Sequence, residues 1–552
     1  MRRLFIVILA LCVSFTLFAN GISEKPQSGA AFTGNAAMQP NAKVKNIIVM
    51  IPDGMSSDGI TLARWYQSYD PDTDTVDTSF RLALDELASG LVRTWWSNGA
   101  FIGAITDSAP AGSAFATGIK TTDKFIGMSP ESTPAAIILE AARQIGKSTG
   151  LVVTSNIQHA TPAAFSSHYN DRSRYDILGE QQAHNGIDVL LGGGSMYLTP
   201  PYRQDSENMI DEMKAMGYRY ITTRNELNAV HSGRLIGAFA RDAMAYEMDR
   251  IENAGAEPSL AEMTAKAIEL LSQNEKGFFL MVEGSKVDWA AHANDPIGLI
   301  SDILAFDAAV KTALDFAKTN QNTMIIAMSD HGNGGISIGS ALSNSTYSTD
   351  PVQKFIAPLK NAKLTGEGIS AKLDNDRGNI QEVMAKYYGI SDLTDDEADK
   401  IKKTSAGSMN YAVGPMMSAR ASLGWTTSGH TGEETVLFSY LPGNGRITGV
   451  IENIDVAKIC AGIWGIDLPA LTQALYIDAE PVFSAKGAST AINTSVRSSG
   501  TMTVTKGSTT LIIPENKNFV FKDGSKTPIG SVIVNQSGKF YVPLEVINMI
   551  GD

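Results

Sequence analysis

Apolar residues in this chain gather in short unbroken runs rather than in stripes. Asn46-Ile47-Ile48-Val49-Met50-Ile51 is the first of these, and it ends in Pro52-Asp53-Gly54. Similar runs return at residues 150–154, 278–282 and 324–328, with 188–191 and 435–438 as further candidates. Runs without alternation suit strands of a parallel sheet that is covered on both faces. Segments with helical periodicity lie between them, at 133–144, 259–273 and 296–318. Strands alternating with helices predict an α/β fold, a three-layer sandwich whose central, mostly parallel sheet is flanked by helices. The 50 glycines agree, since they fit many strand-to-helix turns better than a helical bundle.

Three regions break the alternation. Residues 332–428 are polar and irregular, with a helix expected near 379–388 and an acidic stretch at 392–399. They read as a large crown-like insertion over one end of the sheet. Residues 484–500 are rich in Ser, Thr, Ala and Gly and read as a linker, and 501–552 as a small β-rich module with Asp523-Gly524 as a turn. At the other end, Arg2 and Arg3 precede an apolar run at 4–18, with small or polar residues from Ala19. A membrane span needs ~20 apolar residues. The run therefore reads as a signal peptide over 1–19, followed by a flexible tether at 20–43 and a catalytic domain at 44–483. The expected location is periplasmic or secreted. Lipid anchoring at Cys12 is the weaker reading, because apolar sequence continues past the cysteine. Removal of the signal leaves Cys460 alone, so no internal disulfide is expected. A net charge of −13 argues against a nucleic-acid partner.

The polar residues that end the apolar runs carry the chemistry. Asp53 follows the first run, His159 and Thr161 the second, Glu283 the third, and Asp330-His331 the fourth. Ligand sites in open α/β sheets lie beyond the carboxyl ends of the strands. Asp288 and His292 come next, spaced to share one face of a helix turn and chelate one ion. Mixed carboxylate and imidazole donors favour zinc, and all-oxygen donors favour magnesium. Taken singly, each residue has a plainer explanation: Asp53-Gly54 as a turn, Asp288 as a helix cap, His430 as a loop histidine. Their joint appearance at strand ends is what argues for a metal cluster.

Ser108, in Thr106-Asp107-Ser108-Ala109-Pro110-Ala111-Gly112, falls at the start of an expected helix, where backbone N–H groups favour an anion. As a plain N-cap it has no chemical role. Beside a metal cluster it becomes a candidate nucleophile, since a serine hydroxyl needs activation and no local Ser-His-Asp motif supplies it.

In order, Pro52-Asp53-Gly54, Thr106-Asp107-Ser108-Ala109, Gln158-His159-Ala160-Thr161-Pro162-Ala163, Val282-Glu283-Gly284 with Asp288 and His292, Ser329-Asp330-His331, and Gly429-His430-Thr431-Gly432 resemble the alkaline phosphatase family. The resemblance runs from about Lys45 to Leu468. It implies two zinc ions and one magnesium ion. Asp288, His292 and His430 would hold one zinc, and Asp53, Asp330 and His331 the other, with Ser108 as the nucleophile. Asp53 would bridge to the third ion, with Thr161 and Glu283. Arg172 matches the arginine that grips the phosphoryl oxygens. His159 and Trp289 stand where the best-known enterobacterial form has aspartate and lysine, which leaves the identity of the third ion open. The pair resembles other bacterial members, including some from cold marine species.

The family reading implies hydrolysis of small-molecule phosphate monoesters through a phosphoserine, and homodimers by analogy. Residues 538–544 also resemble a stalk-type domain related to the N-terminal domain of copper amine oxidases, which implies a cell-envelope contact through the C-terminal module. Two other readings stay open: a phosphodiesterase or other hydrolase of the same superfamily, and a non-catalytic envelope protein that binds phosphate or metal. Ser108 paired with Arg172 favours the monoesterase.

Overall fold

The apolar runs form the central strands, and the pleat explains why they do not alternate. In the computed structural model, which describes residues 43–203, 205–495 and 499–551, strand β1 (Asn46–Pro52) is buried at every position. Ile48 and Met50 enter the core on one face of the sheet, and Ile47, Val49 and Ile51 enter the core on the other. Both faces need apolar side chains, so polar positions disappear from the run. The expected signal peptide, Cys12 and all of the tether except Lys43 lie outside the described residues.

The other strands of this ten-stranded sheet are, in chain order, β2 (Ala88–Arg93), β3 (Ser148–Asn156), β4 (Val189–Gly193), β5 (Arg219–Ile221), β6 (Leu235–Ala238), β7 (Phe278–Gly284), β8 (Thr323–Ala327), β9 (Thr435–Tyr440) and β10 (Gly449–Glu452). Their spatial order is β10-β2-β9-β8-β1-β7-β3-β4-β6-β5. Among the described residues only β9 runs against its neighbours, pairing antiparallel with β8 and β2. The remaining pairs are parallel. Helices cover both faces, which is the expected three-layer sandwich. Those that matter for the site are α1 (Ser108–Thr117), α2 (Ala160–Ala164), α3 (Tyr175–His184), α4 (Lys286–His292), α5 (Pro296–Asn320) and α6 (Met409–Arg420). Asp295 caps α5 by accepting from the N–H of Ile297, and Pro296 opens it. The helix expected over 133–144 is shorter, Ile138–Gln144, because residues 129–135 are bound into turns ahead of it.

Residues 332–428 are less irregular than the sequence reading holds. They fold into short helices, including Ile380–Tyr388, Asp395–Lys403 and α6. Ile380, Val383, Met384, Tyr387 and Tyr388 sit three or four residues apart and join the core on the α5 face of the sheet. Asp395–Lys403 buries only Ile401. It relies on a Thr394/Glu397 capping box, acids in its first turn and lysines in its last.

The linker expected at 484–500 is corrected by the structure. Ala479–Ala485 is helical, and Ser489–Asn493 is an outer strand paired with Thr501–Lys506 in a five-stranded sheet. Polar Ser and Thr suit a half-exposed edge strand as well as they suit a linker. The Asp523-Gly524 turn is present: both residues have positive φ (49° and 81°) and join two paired strands, as a two-residue hairpin with matching twist requires. This C-terminal region packs directly on the catalytic part. Tyr476, Val534 and Tyr541 form a buried cluster with Ala136. Lys517 reaches Glu180 and Glu207 at 2.9 and 2.6 Å.

Candidate active site

Parallel register brings the candidate ligands to one sheet edge. Ile51 lies opposite Glu283 and Pro52 opposite Gly284, so Asp53 leaves β1 beside the end of β7. Asp330 and His331 follow β8, the neighbour on the other side. His159 and Thr161 follow β3, with His159 as the residue before α2. Asp288 and His292 share α4, and His430 is paired with Asn333 in a two-residue ladder that begins just after His331. Gly54 is needed here: its φ is +68°, and a Cβ would stand 2.7 Å from Asp288 Oδ1.

The side chains form three adjoining groups, each with donor atoms within 4.8 Å of one another: Asp288, His292 and His430; Asp53, Asp330 and His331; and Asp53, His159 and Glu283. Asp53 belongs to two of them. In the first group His292 Nδ1 meets the Ser428 carbonyl at 2.7 Å, and His430 Nδ1 meets the Thr106 carbonyl at 2.8 Å. A carbonyl only accepts, so each Nδ1 carries a proton and each Nε2 faces inward. The two Nε2 atoms then lie 3.2 Å apart, with Asp288 carboxylate oxygens 3.4 and 3.6 Å from them. Two imidazole nitrogens and a carboxylate that converge in this way suit a divalent cation, which takes the place of the proton on His292 Nε2.

The orphaned atoms point the same way. Both oxygens of Asp53, both of Glu283, Oδ2 of Asp330 and Oγ1 of Thr161 are buried without a hydrogen-bond partner. Buried acceptors left unpaired are costly unless a cation or water meets them. Burial, followed by repulsion from Asp330, Asp288 and Glu283, pushes the Asp53 carboxyl well above the usual range. Burial and Asp330 push Glu283 up to about 8. Burial opposes the charge on Asp288, but His292 and the other imidazoles outweigh it and hold this carboxyl low. The same pairing lifts His292 to about 9 against its own burial. This donor set fits divalent cations.

Ser108 opens α1, but it is not the cap. Asp107 is the N-cap and accepts from the Ala109 N–H at 3.3 Å. That frees Ser108 Oγ, which is buried and 3.3 Å from His331 Nε2. Arg172 comes from the loop before α3. Its Nη1 donates to both oxygens of Asp107 at 2.6 Å, and its Nη2 lies 3.1 Å from His159 Nε2. Burial works against the charge on Asp107, but Arg172 outweighs it and keeps the carboxyl below the usual range. His159 is neutral, held down to about 3 by burial and then by Arg172. Trp289 meets the His159 ring edge-on at 5.9 Å.

The candidate metal ligands, with Ser108 and Arg172, thus gather at one edge of the sheet. Sequence reasoning missed two that hold the others. Asp107 anchors Arg172, and its position just before Ser108 was the available signal. Asn333, paired with His430 in the ladder, donates to Asp288 Oδ1 on α4 at 2.6 Å, and no spacing announces it.

Comparison with known proteins agrees with this geometry. A family model described as Alkaline phosphatase matches residues 44–466. Alkaline phosphatase 4 of Bacillus subtilis is 36% identical over 439 residues, covering 77% of this chain and 90% of the relative. A cold-active alkaline phosphatase from the psychrophile Shewanella sp. superposes with a TM-score of 0.66 at 29% identity, covering 76% of this chain and 99% of that one. An alkaline phosphatase from the Antarctic bacterium TAB5, solved as a His-to-Asp mutant with Mg bound in the M3 site, gives 0.55 at 25% identity, over 77% and 99%. With the match over most of its length, the chain belongs to the alkaline phosphatase family, as a metal-dependent phosphatase.

Proposed function

We propose that this phosphatase is an exported phosphomonoesterase that works through a phosphoserine at Ser108. The observation that carries this reading is the placement of Ser108 Oγ. It is uncapped, buried, and next to the Asp53/Asp330/His331 group, with a guanidinium anchored nearby. One zinc would be held by Asp288, His292 and His430, and another by Asp53, Asp330 and His331. A third ion would be held by Asp53, Thr161 and Glu283, beside His159. When bound, such ions supply Lewis acidity that activates a hydroxyl and offsets phosphoryl charge.

The chain's own residues do the rest. Asp107 holds Arg172 by two hydrogen bonds, so the guanidinium meets the phosphoryl oxygens already oriented. Ser108 Oγ gives up its proton to solvent and attacks phosphorus, the bond to the alcohol oxygen breaks, and the alcohol leaves with a proton from solvent. Water then attacks the phosphoserine, which releases inorganic phosphate and restores the hydroxyl. The reading is tested by comparing p-nitrophenyl phosphate with its bis-ester. We expect kcat/KM to favour the monoester by at least about 10³-fold, the order that one set of charged contacts provides. A preference for the bis-ester would make the chain a phosphodiesterase.

His159 sets a prediction about the third ion. Its neutral imidazole is a poor partner for magnesium, which takes oxygen ligands. The Mg-bound His-to-Asp variant of the TAB5 relative is a parallel in that protein. His159→Asp is expected to raise the magnesium retained after dialysis by about tenfold, the scale of a changed ligand shell. Elemental analysis reads this without an assay, and equal magnesium in both proteins would remove His159 from the third site.

A further inference from the structure

Beside the candidate metal groups lies a cleft of about 770 Å³, the size of a pocket for a substantial organic group. His292 and Trp289 of α4 form the wall that it shares with the site. The insertion supplies the facing wall through Glu367 and Tyr411, and Tyr246 and Asp242 complete it. Through His292 this cleft adjoins the Asp288, His292 and His430 group.

The lining has a definite chemical character. Its one ammonium, on Lys286, is already used: it is 2% exposed, lies over the rings of Tyr246 and Trp289 at 4.4 and 4.3 Å, and faces Glu367 at 3.8 Å. Glu367 remains 54% exposed and Tyr411 50% exposed, and Asp242 is exposed as well. The accessible polar groups are thus weighted toward carboxylate acceptors, beside the half-exposed ring of Tyr411, the faces of Tyr246 and Trp289 being taken by Lys286. Carboxylates and aromatic faces together recognise a cation, and they repel a second anionic group.

We propose that this cleft is a leaving-group subsite that selects phosphate monoesters whose alcohol carries an ammonium group. The proposal rests on the phosphomonoesterase reading above. The insertion at 332–428 would then set substrate preference by supplying Glu367 and Tyr411.

Three aryl esters with the same reacting bond test it: 4-(2-aminoethyl)phenyl phosphate, 4-ethylphenyl phosphate and 4-(2-carboxyethyl)phenyl phosphate. In the metal-loaded protein we expect kcat/KM to fall in that order, with the amine ahead of the neutral ester by about fivefold, the scale of a partly desolvated cation–π and carboxylate contact. Glu367→Gln and Asp242→Asn, both isosteric, should each bring the amine-to-neutral ratio toward one. Equal kcat/KM for the three esters, or a ratio unmoved in both variants, would overturn the subsite while leaving the phosphomonoesterase intact. Three inert monoesters alongside a hydrolysed bis(p-nitrophenyl) phosphate would overturn the phosphomonoesterase reading, and the subsite with it.

Discussion

Replacing Ser108 by alanine is expected to lower kcat on p-nitrophenyl phosphate by on the order of 10³-fold or more, the scale seen when a covalent nucleophile is removed from an otherwise intact site. The substitution removes one oxygen at the first position of α1 and leaves the cap untouched, because Asp107 carries the cap. The backbone and the Asp107–Arg172 pair should therefore persist. Metal content is expected to match the wild type, since the carboxylates and imidazoles are unchanged. Rapid acid quench followed by intact-mass measurement should find a phosphoryl adduct in the wild type and none in the variant. Activity within tenfold of the wild type at equal metal content would sink the phosphoserine mechanism, and direct attack by water would have to replace it.

What the sequence made legible follows from burial. Strands β1, β3, β7 and β8 are covered on both faces, so their apolar runs are unbroken and their ends coincide with Asp53, His159, Glu283 and Asp330. The strands that went unread are short or lie at the sheet's margins. Leu91 of β2 and Val450 of β10 are 40% and 56% exposed, and a strand with exposed positions keeps polar residues that hide it. β6 is buried, but four residues carry too little pattern to separate from a loop. The insertion was misread for a related reason. Its helices are short and separated by polar turns, so although residues such as Ile380, Met384, Met409, Val413 and Met417 enter the core, no long periodic segment announces them. In the site, ligand types were visible because carboxylate and histidine at strand ends are rare. The groups that orient them were not visible: the Ser428 and Thr106 carbonyls have no side-chain signature, and Asn333 meets Asp288 only once its ladder is folded against α4.

Metal removal should cost the protein stability in a way that depends on pH with a definite sign. Without ions, Asp53, Glu283 and Asp330 converge as buried acceptors, and the folded chain compensates by holding protons. Asp53 is raised well above the usual range and Glu283 to about 8, so the folded state binds protons that the unfolded chain has released by pH 6.5. A group whose folded pKa is raised contributes stability that is lost as pH rises through that pKa. His292, lifted to about 9, acts in the same direction. The chelated protein should therefore be more stable at pH 6.5 than at pH 8. In the loaded protein the ions replace these protons and bind better as pH rises. The gap between loaded and chelated melting temperatures should thus widen from pH 6.5 to pH 8. At saturating metal it should correspond to about 4 kcal/mol or more, the linkage expected at a thousand times Kd. Other buried acids, Glu180 and Asp295 among them, are also raised, to about 8 and about 7, so the site's own share needs a variant to isolate it. Asp53→Asn does so. Its amide is neutral and donates toward the neighbouring carboxylates, so in chelator at pH 8 it should melt higher than the wild type, with the advantage shrinking at pH 6.5. In metal the order should reverse, because the residue shared by two groups is gone, and activity should be lost with it. An Asp53→Asn protein that melts below the wild type in chelator at pH 8 would mean that Asp53 is held by contacts other than metal, and its place as the shared ligand would fall.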